Sequence, residues 1–163
     1  MRSRLSIAAV LVAVASLVFA VAALADHGHG RRNGEKFLRS SLAPSVPNDP
    51  AFHGRTPGGV PWVLRRGEVS IQRSGRFELR VRGLVIPPTG NAGPVTTISA
   101  SLFCGADANA APAFTTHAVP LSSDGNARIR EKVTLPAQCL APIVLVHPNG
   151  GAARYIAVTG WKS

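Results

Sequence analysis

Three kinds of side chain in this sequence could do chemistry, and their spacing limits what each could do. Cys104 and Cys139 stand 35 residues apart, with no CxxC or HxxH beside them. Thiols that bind metal need further ligands close by, whereas two cysteines in an exported chain pair with each other. One disulfide, Cys104–Cys139, is the expectation. His27 and His29, in the stretch ALADHGHGRR, are weak metal candidates. If a leader were removed after Ala25, the new amine, the backbone nitrogen of His27 and both imidazoles could chelate Cu(II) or Ni(II), which favour square-planar nitrogen sets. The amino-terminal copper motif places its histidine third, and neither His27 nor His29 would stand there. No metal and no other cofactor is expected. His53, His117 and His147 stand singly, and a zinc site would require them to converge.

The third kind is the arginines. Arg66, Arg76, Arg80, Arg82, Arg128, Arg130 and Lys132 fall in two stretches, RRGEVSIQRSGRFELRVRG and NARIREK. Guanidinium groups grip phosphate and carboxylate with two parallel hydrogen bonds, so these seven residues are the anion-binding candidate. The competing reading is a solvated sheet face that keeps strands from pairing with neighbours, written by a genome that prefers arginine codons. Few aromatics interleave the stripe, so stacked single-stranded nucleic acid is not indicated; Phe103 is the one strand aromatic of outward parity. No G-x-S-x-G elbow, phosphate loop or dinucleotide fingerprint is present. Glu68 and Glu78 share a hairpin face with arginines and read as cross-strand ion pairs. Glu131 falls on the inward parity of its strand, where a bulge or a partner must accommodate it. No enzyme is expected from these residues.

The elements that must position these groups read as strands. Val69 and Ile71, then Phe77, Leu79 and Val81, alternate with polar residues on either side of Arg73-Ser74-Gly75. Period two about a short glycine link predicts a β-hairpin with one buried face. Val60–Leu64, with Trp62, reads as a strand kept to an edge by Pro61. TISASLFC places Ile98, Ala100, Leu102 and Cys104 on one face. SSDGNARIREKVTL predicts a second hairpin turning at Asp124-Gly125. Ala113–Val119, IVLVH and RYIAVTGW supply the remaining strands. Turns every 8 to 12 residues and no helical period predict an antiparallel immunoglobulin-like or Greek-key β-sandwich of about eight strands.

Residues 5 to 25 carry no charge, follow Arg2 and Arg4, and end in Ala-Leu-Ala. This reads as a signal peptide over residues 1–25, with an uncleaved anchor as the alternative; membrane attachment is expected only through it. Residues 26–59, rich in Gly and Pro, read as a flexible basic segment in which Phe37, Leu38 and Leu42 could form one helical turn. Residues 60–163 then form the sandwich domain. Losing the leader takes the formal charge from +10 to about +8, which favours anionic partners.

The combination WVLRRGEVSI, GRFELRVRGLVI, ISASLFCG, VPLSSDGNARIREKVTLPAQCLAPIVLV and YIAVTGW resembles small secreted proteins of high-GC soil bacteria, over about residues 60 to 161. The resemblance implies a β-sandwich with one disulfide and an exported location, and implies no activity. The immunoglobulin pattern proper is not met, because no Trp lies between the cysteines.

The expectation is therefore a secreted or envelope-associated binding module that engages anionic polymer or lipid through its arginine face. The alternative is a structural or adhesion-like domain that interacts through its loops, or an enzyme that would need converging His and acidic groups.

Overall fold

The computed structural model describes residues 35–162. The signal segment, its cleavage junction and His27 and His29 lie outside the described residues. Within them the chain is all strand and loop, with no helix.

One sheet contains the long strands β1 (Lys36–Pro44), β3 (Val63–Gln72), β4 (Arg76–Val85), β5 (Thr97–Phe103), β8 (Ala127–Lys132), β9 (Ile143–Pro148) and β11 (Ala157–Thr159). It also contains the two-residue strands β6 (Phe114–Thr115) and β7 (Val119–Pro120). The order is β6-β5-β9-β11-β1-β3-β4-β8, with β7 also on β5, and all neighbours are antiparallel. β2 (Thr56–Pro57) and β10 (Arg154–Tyr155) form a separate parallel pair. The sheet curls on itself. Val69, Ile71, Phe77, Leu79, Val81 and Ile129 from one half share a core with Ile98, Ala100, Leu102, Val144 and Val146 from the other. The expected all-β antiparallel fold with one disulfide is what the structure shows.

The hairpin of β3 and β4 pairs in the register its alternation implies, Val69 opposite Leu79 and Ile71 opposite Phe77. Gly75 turns it at φ +85°, and a Cβ there would stand 2.2 Å from the Val133 carbonyl oxygen, so no other residue fits. Gly125 closes the second turn under the same constraint, against the Leu84 carbonyl. That second turn does not make a hairpin. β7, before it, pairs with β5, and β8, after it, pairs with β4, so the turn carries the chain from one half of the sheet to the other. The strand expected from Val60 begins at Val63, with Trp62 buried beneath it.

Residues 36–44, expected to be part of a flexible segment with a helical turn, are an internal strand of the sheet. β1 pairs with β3 through Lys36–Ser41 and with β11 through Leu42–Pro44. It reads poorly as a strand because the register shifts between Lys36 and Leu38, and because Ser40 occupies an inward position opposite Val69. Leu38 and Leu42 nonetheless lie in the shared core. The domain therefore starts before residue 60.

Residues 45–59 are ordered too, and lie over the outer face of β5, β9 and β11. Ser45 donates its N–H to the Ile156 carbonyl and accepts from the Trp62 N–H. Phe52 and Arg55 exchange backbone hydrogen bonds across a two-residue turn, in which His53 (φ 49°) and Gly54 (φ 71°) both take positive φ. That is the turn type that matches strand twist. Under this flap Ala43, Phe103, Leu145, Tyr155 and Val158 form a second core. The Tyr155 hydroxyl donates to the Pro50 carbonyl at 2.7 Å, and burial, with Asp49 adding to it, pushes its pKa up to about 12. Phe103, expected to face outward, does so by parity, but the flap buries it completely. The His53 ring stacks on it at 4.8 Å, and the Arg55 guanidinium lies 5.3 Å from its centroid.

A cationic face on the uncovered half of the sheet

The flap covers one half of the sheet and leaves the outer face of β3, β4 and β8, with the first part of β1, open to solvent. Alternation decides what stands there. On β3, β4 and β8 the apolar residues fill the core, so the intervening residues point out, and most of these are basic. Arg66, Arg76, Arg80, Arg82, Arg128, Arg130 and Lys132 are all exposed and all on this face. Direct pairing of β4 with β8 brings the two stretches together. β1 adds an eighth cation, Arg39, registered opposite Ser70. The sequence signal for it was the shared parity of Leu38, Ser40 and Leu42.

The register fixes which charges meet. One row runs Arg39, Ser70, Glu78, Arg130 and the next runs Ser41, Glu68, Arg80, Arg128. Glu78 lies 3.8 Å from the Arg128 guanidinium and 3.4 Å from that of Arg130. The Arg66 Nε donates to Glu68 at 2.7 Å. That hydrogen bond, with the charge of Arg66, holds the Glu68 carboxyl below its ordinary range. Three registered pairs set cation directly against cation: Arg66 opposite Arg82, Arg80 opposite Arg128, and Arg76 opposite Lys132. Side chains so placed have Cβ atoms about 4.5–5.5 Å apart, and like charges there are destabilising. The face also holds shallow hollows. One of about 190 Å³ is bordered by Arg66, Glu68, Arg80 and Arg82, and one of about 150 Å³ includes Arg39, Glu78 and Arg128 in its border.

Two further polar constellations lie elsewhere. Glu131, paired in register with Phe77 and without a bulge, accepts hydrogen bonds from His117: the backbone N–H at 3.0 Å and the ring Nδ1 at 2.9 Å. A partner resolves its inward position. His147 is fully buried beneath the flap. Its Nδ1 lies 2.7 Å from the Arg154 carbonyl. A carbonyl only accepts, so Nδ1 carries the proton and Nε2 accepts from the Ser101 hydroxyl at 3.0 Å. Ser101 in turn accepts from Thr115 at 2.8 Å. The order resembles a serine poised by a base, but Ser101 is 0% exposed and no substrate can reach it in this arrangement. Desolvation, offset in part by the Arg154 hydrogen bond, lowers the His147 pKa. His53, His117 and His147 thus occupy three different environments. No cluster of three or more His, Cys, Asp or Glu side chains that could hold a metal occurs among the described residues. Cys104 and Cys139 are joined, with Cα atoms 4.9 Å apart.

Fold and face together define a small all-β domain with one disulfide and a cationic sheet face. Comparison with protein-family models, with curated proteins and with solved structures finds no match.

Proposed function

We propose that this protein is a non-catalytic extracytoplasmic binding module, and that the face built by β1, β3, β4 and β8 engages an anionic polymer of the cell envelope. The observation that carries this reading is the set of three cation–cation pairs. A face selected only for solubility gains from alternating signs, whereas one that sets Arg66 against Arg82 and Arg80 against Arg128 is relieved by an anion between them. Location outside the cytoplasm rests on the disulfide and on the leader-like residues 1–25.

The test is binding of the chain to anionic polymers at low and high salt, beside a variant with Arg76, Arg80, Arg82, Arg128 and Arg130 changed to Ser. Binding that weakens steeply with salt and vanishes in the variant is the expected result. Equal binding by both proteins overturns the proposal. A second reading, interaction through loops, rests on Leu140 and Trp161, which are 76% and 85% exposed; binding insensitive to salt and lost on replacing these two would favour it.

A further inference from the structure

The pairing of the cations also bears on which anion they fit. We infer that the polymer is a linear chain bearing tetrahedral ester groups with three unbridged oxygens, phosphate monoesters or sulfate esters, and that its principal contact is the diagonal formed by Arg66, Arg82, Arg80 and Arg128. This rests on the reading of the face as a polyanion site and narrows it.

The diagonal follows from the register. Arg66 on β3 stands opposite Arg82 on β4, and Arg80 on β4 stands opposite Arg128 on β8. Arg82 and Arg80 are two residues apart on one strand, about 6.8 Å along it. Four arginines therefore cross three strands, with Glu68 bonded to Arg66 and Glu78 beside Arg128 at the flanks of the path. At each end of the path two arginines stand directly across from each other on neighbouring strands, so an anion lying between them is within reach of two planar forks. A carboxylate has two oxygens in one plane and offers a single two-oxygen edge to a fork. A tetrahedral group with three free oxygens presents edges in more than one plane, so two forks can hold it together.

The carboxylates argue for a chain over a flat surface. Glu68 borders the hollow with Arg66, Arg80 and Arg82, and Glu78 stands between Arg128 and Arg130. An anionic membrane laid on the face would press charge against both. A chain can follow the arginines and pass beside them. Arg76 and Lys132, at the hairpin end, carry one fork and one ammonium and form a weaker, less directional site.

The experiment uses one polymer backbone with three substituents: dextran phosphate, dextran sulfate and carboxymethyl dextran, matched in length and degree of substitution. A fourth arm uses phosphatidic acid vesicles, which carry the phosphate monoester on a plane. Expected is binding of the phosphate and sulfate forms at least about tenfold tighter than the carboxymethyl form, and tighter than the vesicles. Arg66→Lys with Arg82→Lys should shrink that preference while keeping the charge. Arg73→Ser with Arg154→Ser, which removes two cations from outside the face, should leave it intact. Equal binding of all three dextrans overturns this inference and leaves the polyanion reading standing. Vesicles that bind as tightly as the dextrans overturn the linear-chain part. Binding of none overturns both.

Discussion

Glu131 and His117 tie the two ends of the strand order to each other. Glu131 lies on β8, the last strand on one side, and His117 lies between β6 and β7 at the other; two hydrogen bonds join them. No backbone ladder pairs β7 with β8, so this carboxylate does what a ladder would do. Glu131→Ala is expected to lower unfolding stability by about 1–3 kcal/mol, the range for a partly buried group bonded to a charged acceptor. His117→Ala should cost less, because the backbone N–H still donates. Urea unfolding of the two variants checks the order, and a larger loss for His117→Ala would contradict it.

His147 makes stability depend on pH. Its folded pKa lies below the ordinary imidazole value of 6.5, chiefly through desolvation. The unfolded chain therefore binds the proton more readily. The His147 contribution is complete above pH 6.5 and is lost as pH falls through the folded value. Unfolding midpoints should drop between pH 7.5 and pH 5, and His147→Gln should flatten that fall. A variant with the same pH slope as the parent would show that another group is responsible.

The disulfide closes a loop of 35 residues. In the loop-entropy picture it contributes about 4 kcal/mol. Replacing Cys104 and Cys139 together by Ser is expected to lower stability by about that much while leaving the sheet's circular dichroism unchanged at low temperature. A loss below about 1 kcal/mol would mean that the unfolded chain is already confined by other contacts.

β1 sets the domain boundary. A chain beginning at Val60 lacks the strand between β3 and β11, and with it Leu38 and Leu42 from the core. It also lacks the flap over Phe103, Leu145 and Tyr155. Such a chain is expected to lose cooperative unfolding, whereas one beginning at Glu35 should retain it. A sharp urea transition in the shorter chain would refute the assignment of β1.

What could be read in the sequence was the part governed by short-range pattern. The β3–β4 hairpin, the inward Val69, Ile71, Phe77, Leu79 and Val81, and the exposure of the seven basic residues follow from period two and one glycine turn. β1 was hidden because a bulge at its start and an inward Ser40 break that period, leaving Phe37, Leu38 and Leu42 at a spacing that mimics a helical turn. The burial of Phe103 and His147 could not be read for a different reason. Parity tells which face a side chain takes, and only the flap, held by backbone hydrogen bonds from Ser45 to Ile156 and from Gly58 to Tyr155, makes their face a buried one. Arg39 joins the cationic face only once β1 is recognised.

The union of β1 with β11 brings Ser41 against Gly160, 119 residues apart. A ribosome delivers β1 first and β11 last. Until the final strand emerges, one side of β1 has unpaired backbone groups, and the two halves of the sheet lack the strand contact that makes them continuous. The nascent chain thus cannot settle piecemeal from β1 onward, and completion of the sheet waits on β11, its last strand in chain order. Contacts so distant in sequence also slow the search for the native pairing. During that wait the dense positive charge of β3, β4 and β8 can itself act as a guard, keeping half-made sheets from adhering to one another.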